Sequence, residues 1–298
     1  MEQEDVRFSV GDAECAGRLF RPEGMNEPTP CVVMGTGFSC VRDQGLDAFA
    51  ERLADTGFAA LAFDYRHWGA SGGEPRSLMD SARQREDWRA AISHVGGRDE
   101  VDSARIAMWG YSMGTGHVQS LAVDGADVAA IICVAPLLNT RSSLLHSGGW
   151  GHLAKLTVAG VRDMTRAWRR AAPYRIPAIG KPGSLAVINS PDALPGMMAI
   201  SPPGSIWRNE VCARVALSAP YELGRKVRRI DCPALYCVFE DDDVNPPELS
   251  RRAAQNVPRG ELRTYPGGHF VLASEDIFDR LAMDQIEFLR RHLGRPPV

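Results

Sequence analysis

The stretch Arg105-Ile-Ala-Met-Trp-Gly-Tyr-Ser-Met-Gly-Thr-Gly116 constrains the fold of this chain more than any other. Ile106 to Trp109 reads as a short buried strand, and Thr115 to Val123 continues as a helix. Between them stands Gly110-Tyr-Ser-Met-Gly114, a G-x-S-x-G pentapeptide in a strand–turn–helix setting. Such a turn is sharp, and a side chain at either glycine would collide with the flanking elements. It exposes the Ser112 hydroxyl at the end of a sheet, beside a helix N-terminus whose N–H groups suit an anion. Ser112 is therefore the expected nucleophile.

Around this turn the chain alternates strands and helices. Val6–Val10 and Glu14–Phe20, split by Gly11-Asp12, predict an edge hairpin. Cys31–Met34 and Phe58–Phe63 predict buried strands. Leu46, Phe49 and Leu53 mark one helix, and Trp88, Ala91, Ile92 and Val95 mark the next. Val128–Val134 adds a strand. The pattern then lapses: residues 137–222 hold eight of the twenty prolines and one amphipathic helix, Leu153–Arg170. Alternation resumes with the strand Cys232–Phe239, a helix, the strand Glu261–Tyr265, and a final helix headed by Ser274. We therefore expect an α/β fold whose mostly parallel sheet is covered on both faces. Residues 1–136 and 223–298 would form its core, and residues 137–222 an inserted cap over the C-terminal edge.

A serine hydroxyl needs a base to take its proton, and the base needs an orienting acid. The G-x-S-x-G turn resembles that of α/β-hydrolases, whose order implies that both follow the serine in the chain. His269 is the expected base, since it follows the last strand in the loop Gly267-Gly-His-Phe270. His146, His152 and His292 are less well placed, and His67 and His117 flank the turn in sequence. For the acid, Glu240, Asp241, Asp242 and Asp243 are contiguous. Asp242 fits best because its spacing to Val244 and Pro246 gives Asp-x-Val-x-Pro after the strand, with Asp241 next. The backbone N–H groups of Met113 and Phe38 are the expected oxyanion donors. Trp150, Met164, Trp168 and Trp207 are expected to line an apolar substrate pocket.

These residues resemble the α/β-hydrolase superfamily across nearly the whole chain, the cap excepted. Two stretches narrow the likeness: Phe63-Asp-Tyr-Arg-His-Trp-Gly-Ala-Ser-Gly-Gly-Glu-Pro-Arg76 and Pro202-Pro-Gly-Ser-Ile-Trp-Arg-Asn-Glu210. Both resemble bacterial hydrolases labelled esterase-like or X-prolyl-peptidase-like, a group similar to fungal polyketide transferases. The resemblance implies acyl chemistry through Ser112, Asp242 and His269, but no particular substrate.

The expected activity is hydrolysis of a hydrophobic carboxylic ester or thioester through an acyl-enzyme, with neither metal nor organic cofactor. Transfer or cyclisation of a polyketide-type acyl group is the alternative, and a silent binding protein the second. A carrier-linked acyl group is one form the substrate could take. Arg162, Arg166, Arg169 and Arg170 would then face its phosphate, though a solvated charged face explains them as well. A net charge of −3 argues against nucleic acid or an anionic membrane as partner. The acidic start Met-Glu-Gln-Glu-Asp predicts no signal peptide, and seven cysteines without a C-x-x-C pair suggest reduced, mostly buried thiols in a cytoplasmic enzyme. Oligomeric state, a homodimer included, is not legible.

Overall fold

The computed structural model describes residues 1–24, 27–218 and 220–294. In chain order its elements begin with β1 (Glu2–Val10), β2 (Ala13–Arg21), β3 (Thr29–Gly35), α1 (Leu46–Ala54), β4 (Ala59–Phe63), α2 (Ser81–Gly96), β5 (Val101–Tyr111), α3 (Met113–Val123) and β6 (Ala130–Val134). They continue with α4 (Thr140–Trp168), β7 (Arg175–Ile176), α5 (Ala193–Ile200), β8 (Val211–Cys212), β9 (Ala234–Phe239), α6 (Pro247–Asn256), β10 (Gly260–Tyr265) and α7 (Glu275–Leu293). Eight strands form one sheet in the order β1-β2-β4-β3-β5-β6-β9-β10. The β1–β2 hairpin and the β2–β4 pair are antiparallel, and every other pair is parallel.

Alternation along the strands sorts the core into two layers. Val32, Met34, Trp109, Ile132 and Phe239 point to the face covered by α1 and α7. Val33, Met108, Ile131, Cys133 and Val238 point to the other, covered by α2, α3 and α6. The central strands β3, β4, β6 and β9 are buried along their whole length, as parallel strands covered on both faces must be. The serine turn therefore sits on the rigid middle of the sheet, at the C-terminal end of β5.

Between Val134 and Ala234 the chain leaves this sheet. It forms α4, which breaks at Gly149 (φ 71°, ψ −178°), then the small β7–β8 pair and α5. The expected helix at Leu153–Arg170 is the second arm of α4 and ends at Trp168; Arg169 is its C-cap and Arg170 has left the helix at φ 54°. The expected cap at Ser274 also differs: Ser274 holds the N-cap position of α7, but its hydroxyl makes no capping bond. All seven cysteines are unpaired, and six of them are buried. Among the described residues no helix is long and apolar enough to cross a membrane.

Candidate active site

The turn after β5 is built by steric exclusion. A Cβ on Gly110 would lie 2.7 Å from the Gly114 carbonyl carbon, and one on Gly114 would lie 2.6 Å from the Thr36 oxygen. Both obstacles are backbone and cannot rotate away. Ser112 itself adopts φ 51°, ψ −117°, a conformation that costs a non-glycine residue on the order of 1–3 kcal/mol. Surrounding bonds hold it there. Its N–H donates to Val134 O (2.8 Å), and its carbonyl accepts from the Thr115 N–H (3.0 Å) and hydroxyl (2.5 Å). Thr115 Oγ1 in turn accepts from Leu137 N–H (2.8 Å), tying the turn to the chain leaving β6.

The structure brings Ser112, His269 and Asp242 into one line. Ser112 Oγ lies 2.9 Å from His269 Nε2, and His269 Nδ1 lies 2.8 Å from Asp242 Oδ2. All three are buried, at 5%, 2% and 4% exposure. Asp242 Oδ1 accepts the N–H groups of Val244 (2.9 Å) and Asn245 (2.7 Å), so the turn after β9 fixes which oxygen faces the imidazole. A carboxylate can only accept, so Nδ1 carries the proton and Nε2 is left to accept from the serine hydroxyl. The His269 loop is held separately: Tyr111 Oη donates to His269 O (2.8 Å), and Phe270 meets the imidazole edge to face at 5.0 Å. Burial pushes the Tyr111 phenol well above its ordinary range, so it keeps the proton it donates.

The neighbouring acids have other work. Asp241 binds the His269 loop, its N–H donating to Gly267 O (3.1 Å) and its Oδ2 accepting from Gly267 N–H (3.3 Å). Asp243 Oδ2 accepts from Asp192 N–H (3.1 Å). The other histidines are elsewhere. His146 Nε2 lies 3.3 Å from Asp242 O, His152 Nε2 3.2 Å from Val187 O, and His292 Nε2 3.1 Å from Glu261. His117 is fully buried between Gln84 and Tyr221, and burial, with Arg85 nearby, pushes its pKa down to about 3.

Phe38 and Met113 both stand beside Ser112. The loop after β3 approaches so closely that a Cβ on Gly37 would come within 3.1 Å of Ser112 Cβ. Neither the Phe38 nor the Met113 N–H has a backbone partner among the described residues. Thr36 holds the loop by donating its hydroxyl to Cys40 O (3.1 Å).

Ser112, Met113 and Phe38 open onto a cavity of about 280 Å³. Its walls are aliphatic for the most part: Leu144, Leu153 and Leu156 of α4, Val187 and Ile188, Val215 and Leu217, with Met79 and Tyr221. The four residues expected there are elsewhere. Trp150 and Trp168 are 64% and 83% exposed, Met164 is exposed, and Trp207 is half-buried against the core without lining the cavity. For Met164 and Trp168 the cause is helical rotation: from Leu156 they are turned by roughly 80° and 120°. The buried face of α4 runs instead through Ala159, Gly160 and Asp163. Asp163 is polar and so escapes an apolar count, yet its carboxylate is enclosed and paired with Arg214 (2.6 Å). Leu153 and Leu156 were legible by helical spacing; Leu144, Val187, Ile188 and Val215 carried no sequence signal.

The four-arginine face is also broken up. Arg162 lies over the Tyr174 ring at 4.0 Å, and Arg166 Nε donates to Ala172 O (2.7 Å). Arg169 and Arg170 lie beyond the helix and off its spacing. No group of three or more His, Cys, Asp or Glu side chains is placed to hold a metal ion among the described residues.

Comparison with known proteins bears on the family and the fold. A family model described as "Alpha/beta hydrolase family" matches residues 35–281. The chain is 38% identical over 288 residues to the quorum-quenching protein AidA of Acinetobacter baumannii, covering 96% of this chain and 94% of that one. It is 27% identical over 310 residues to the polyketide transferase ATR5 of Stachybotrys chlorohalonatus, covering 98% of each. The solved structure of DcsB in complex with its substrate analogue superposes with a TM-score of 0.85 at 23% identity, over 98% of this chain and 100% of that one. That last likeness is one of fold.

Proposed function

The chain belongs to the alpha/beta hydrolase family, an enzyme family of hydrolase type, and from that premise we propose that it is a serine hydrolase of hydrophobic carboxylic esters or thioesters. One observation carries the reading: the hydrogen-bonded line Ser112–His269–Asp242 ends at the mouth of an aliphatic cavity beside two N–H groups without backbone partners among the described residues. In the proposed reaction Ser112 Oγ attacks the acyl carbonyl while His269 Nε2 takes its proton. Asp242 keeps the imidazole in the required tautomer and stabilises the imidazolium. The N–H groups of Met113 and Phe38 receive the oxyanion, each such donor being worth about 3–4 kcal/mol in the transition state. His269 then protonates the leaving oxygen or sulfur as its bond to the acyl carbon breaks. It later takes a proton from the water that attacks that carbon, and returns it to Ser112 Oγ as the Oγ–acyl bond breaks and the carboxylic acid leaves.

The walls of the cavity refine the acyl group. Leucine, isoleucine and valine on several segments favour a flexible aliphatic chain over a stacked ring. Residues 137–222 act in this reading as a lid, since they supply most of those walls. A second reading is transfer to a bound alcohol or amine, favoured by the likeness to a polyketide transferase over 98% of both chains. Hydrolysis is preferred because water needs no acceptor site. The silent-binding reading has least support, as all three reacting side chains are present and aligned.

The test combines labelling and turnover. A fluorophosphonate should add once to the wild type and not to Ser112→Ala, and p-nitrophenyl esters should be cleaved with a preference for medium aliphatic chains. An acyl-enzyme stable for hours in water but discharged at once by a particular alcohol or amine would replace hydrolysis with transfer. Adduct on Ser112→Ala would remove Ser112 from the mechanism.

A further inference from the structure

The two stretches that narrow the family likeness, 63–76 and 202–210, contribute nothing to the walls of the acyl cavity. They meet at a second cavity of about 430 Å³ that shares no lining residue with the first. His67, Trp68, Arg76 and Ser77 reach it from one side, Ile206 and Arg208 from the other. Both walls are fixed. Asp64, buried under the first stretch, accepts the N–H groups of Arg42 (2.8 Å) and Ala70 (3.0 Å), and Arg66 Nε pairs with buried Asp87 (2.5 Å). The second stretch is tied to Asp43 through the Ser205 hydroxyl (2.8 Å) and the Ile206 N–H (3.3 Å).

The donors in this cavity outnumber their acceptors. His67 is 4% exposed, lies against the Gly73 backbone, and neither ring nitrogen makes a hydrogen bond among the described residues. Its φ of 71° adds backbone strain at the same point. Arg76 donates Nη1 to Ser71 O (2.5 Å) and Nη2 to Gly69 O (2.7 Å), and its Nε–H makes no hydrogen bond among the described residues. Arg208 is exposed and pairs with no carboxylate among the described residues, and its charge bears on Arg76. Nearby carboxylates answer these charges only in part. Glu74 and Asp64 act on Arg76 from a distance, Asp64 already holding two N–H groups. Glu210 accepts from Ser77 Oγ (3.0 Å) and faces Arg175 at 3.7 Å. Burial and the charges of Arg83, Arg66 and Arg76 hold the His67 imidazole below its usual range, the Gly73 backbone opposing them. A buried ring that makes no hydrogen bond among the described residues, beside one guanidinium held only partly balanced and a second that pairs with no carboxylate among them, describes a site for a negative group.

We propose that this second cavity binds the oxyanion group, phosphate or carboxylate, of a small molecule, with Arg76 and Arg208 as the charged donors and His67 as the third. The inference stands apart from the reaction at Ser112. An occupant would bridge the loop after β4 and the stretch after α5, two parts of the chain that contribute opposite walls.

The experiment uses the full chain and two probes, inorganic phosphate and acetate, each against chloride at matched ionic strength. Binding is followed by calorimetry and by the ring nitrogen signals of His67. Saturable binding of at least one probe is expected, with the His67 titration moving upward because an adjacent anion favours the imidazolium. Arg208→Ala should weaken that binding about tenfold or more, a charge-assisted contact being lost, while ester turnover and Tm stay unchanged. Phosphate alone, or acetate alone, would identify which oxyanion the site accepts. No saturable binding above chloride would overturn the proposal. So would binding that leaves the His67 signal unmoved or that Arg208→Ala does not weaken.

Discussion

Replacing Asp242 by asparagine isolates the orienting role of one atom. In the native turn Oδ1 accepts two backbone N–H groups, from Val244 and Asn245, while Oδ2 faces His269 Nδ1. An asparagine in this position cannot turn its NH₂ toward those two donors without setting hydrogen against hydrogen. Its oxygen therefore stays on the turn, and its NH₂ points at Nδ1. The imidazole must then accept at Nδ1 and carry its proton on Nε2, which can no longer accept from Ser112 Oγ at 2.9 Å. The loss expected from a wrong tautomer is about 10⁴ in kcat, or roughly 5 kcal/mol of barrier. The fold should hold, because the amide keeps the bonds to Val244 and Asn245 and fills the same volume. The assay is hydrolysis of a p-nitrophenyl ester, paired with thermal unfolding and with the rate of fluorophosphonate labelling. Asp241→Asn and Asp243→Asn serve as controls and should stay within a few-fold of wild type. An Asp242→Asn protein that folds normally and keeps a tenth of the activity would refute the argument, since a single retained tautomer cannot give that result.

Three other substitutions test separate parts of the framework. Gly114→Ala places a Cβ 2.6 Å from the Thr36 oxygen and should cost about 1–3 kcal/mol; because the displaced loop carries Phe38, turnover should fall with Tm rather than independently of it. Leu144→Trp narrows the cavity and should depress kcat/KM for long-chain esters by about tenfold while leaving acetate esters near wild type, read from a chain-length series. Asp163→Asn removes the charge facing Arg214 and should cost about 3–5 kcal/mol at neutral pH. Burial opposes ionisation of Asp163, but the Arg214 side chain and the Arg214 and Tyr174 N–H groups outweigh it and hold the carboxyl below its ordinary range. A depressed carboxyl stabilises fully above its unfolded pKa of about 4, and that stability fades as pH falls through the folded value. The Tm gap between wild type and Asp163→Asn should accordingly be constant above about pH 5 and shrink below pH 4.

The site residues differed in how far the sequence could reveal them, and the difference follows the range of the forces involved. Gly110 and Gly114 are dictated by contacts within one turn and the loop facing it, so their spacing is visible in five letters. Asp242 among four consecutive acids is decided by a local turn as well, with Val244 and Asn245 donating to it, and the Asp-x-Val-x-Pro spacing records that turn. The β1–β2 hairpin and the stripes of α1, α2 and α7 are periodic and equally legible. The pocket depends on which way α4 is rotated. That rotation is set by Asp163 binding Arg214, and by Gly160 letting the helix approach Leu217 and Ala213. Both partners lie some fifty residues downstream, in a stretch without periodicity. Apolar character suits an aromatic side chain to a pocket, whereas Trp150 is placed outside by the break at Gly149 and lies against Arg141.

This division has a consequence for how activity and selectivity can vary. The groups proposed to react are held by bonds among core turns: Ser112 to Val134, Asp241 to Gly267, Tyr111 to His269. None of these bonds passes through α4 or the β7–β8 pair. The acyl cavity, by contrast, takes most of its walls from the stretch between β6 and β9, whose hold on α4 runs through the Asp163–Arg214 pair. Among the described residues three contacts cross to the acid turn. Ser143 Oγ of α4 donates to Asn245 Oδ1 (2.8 Å), while Asn245 Nδ2 donates to Ala135 O (2.9 Å). His146 Nε2 of α4 lies 3.3 Å from Asp242 O, and Asp192 N–H donates to Asp243 Oδ2 (3.1 Å). Changes confined to cavity walls such as Leu144 or Val215 should therefore move chain-length preference at nearly constant labelling by fluorophosphonate. Ser143→Ala removes the shortest of these contacts and leaves the Asn245 carbonyl without its α4 partner, which should loosen α4 over the acid turn. Its expected signature is a raised KM for long esters with kcat held within a few-fold, because Asp242 keeps both of its backbone donors. A fall in kcat as large as that of Asp242→Asn would mean that the helix, and not the turn, orients the acid.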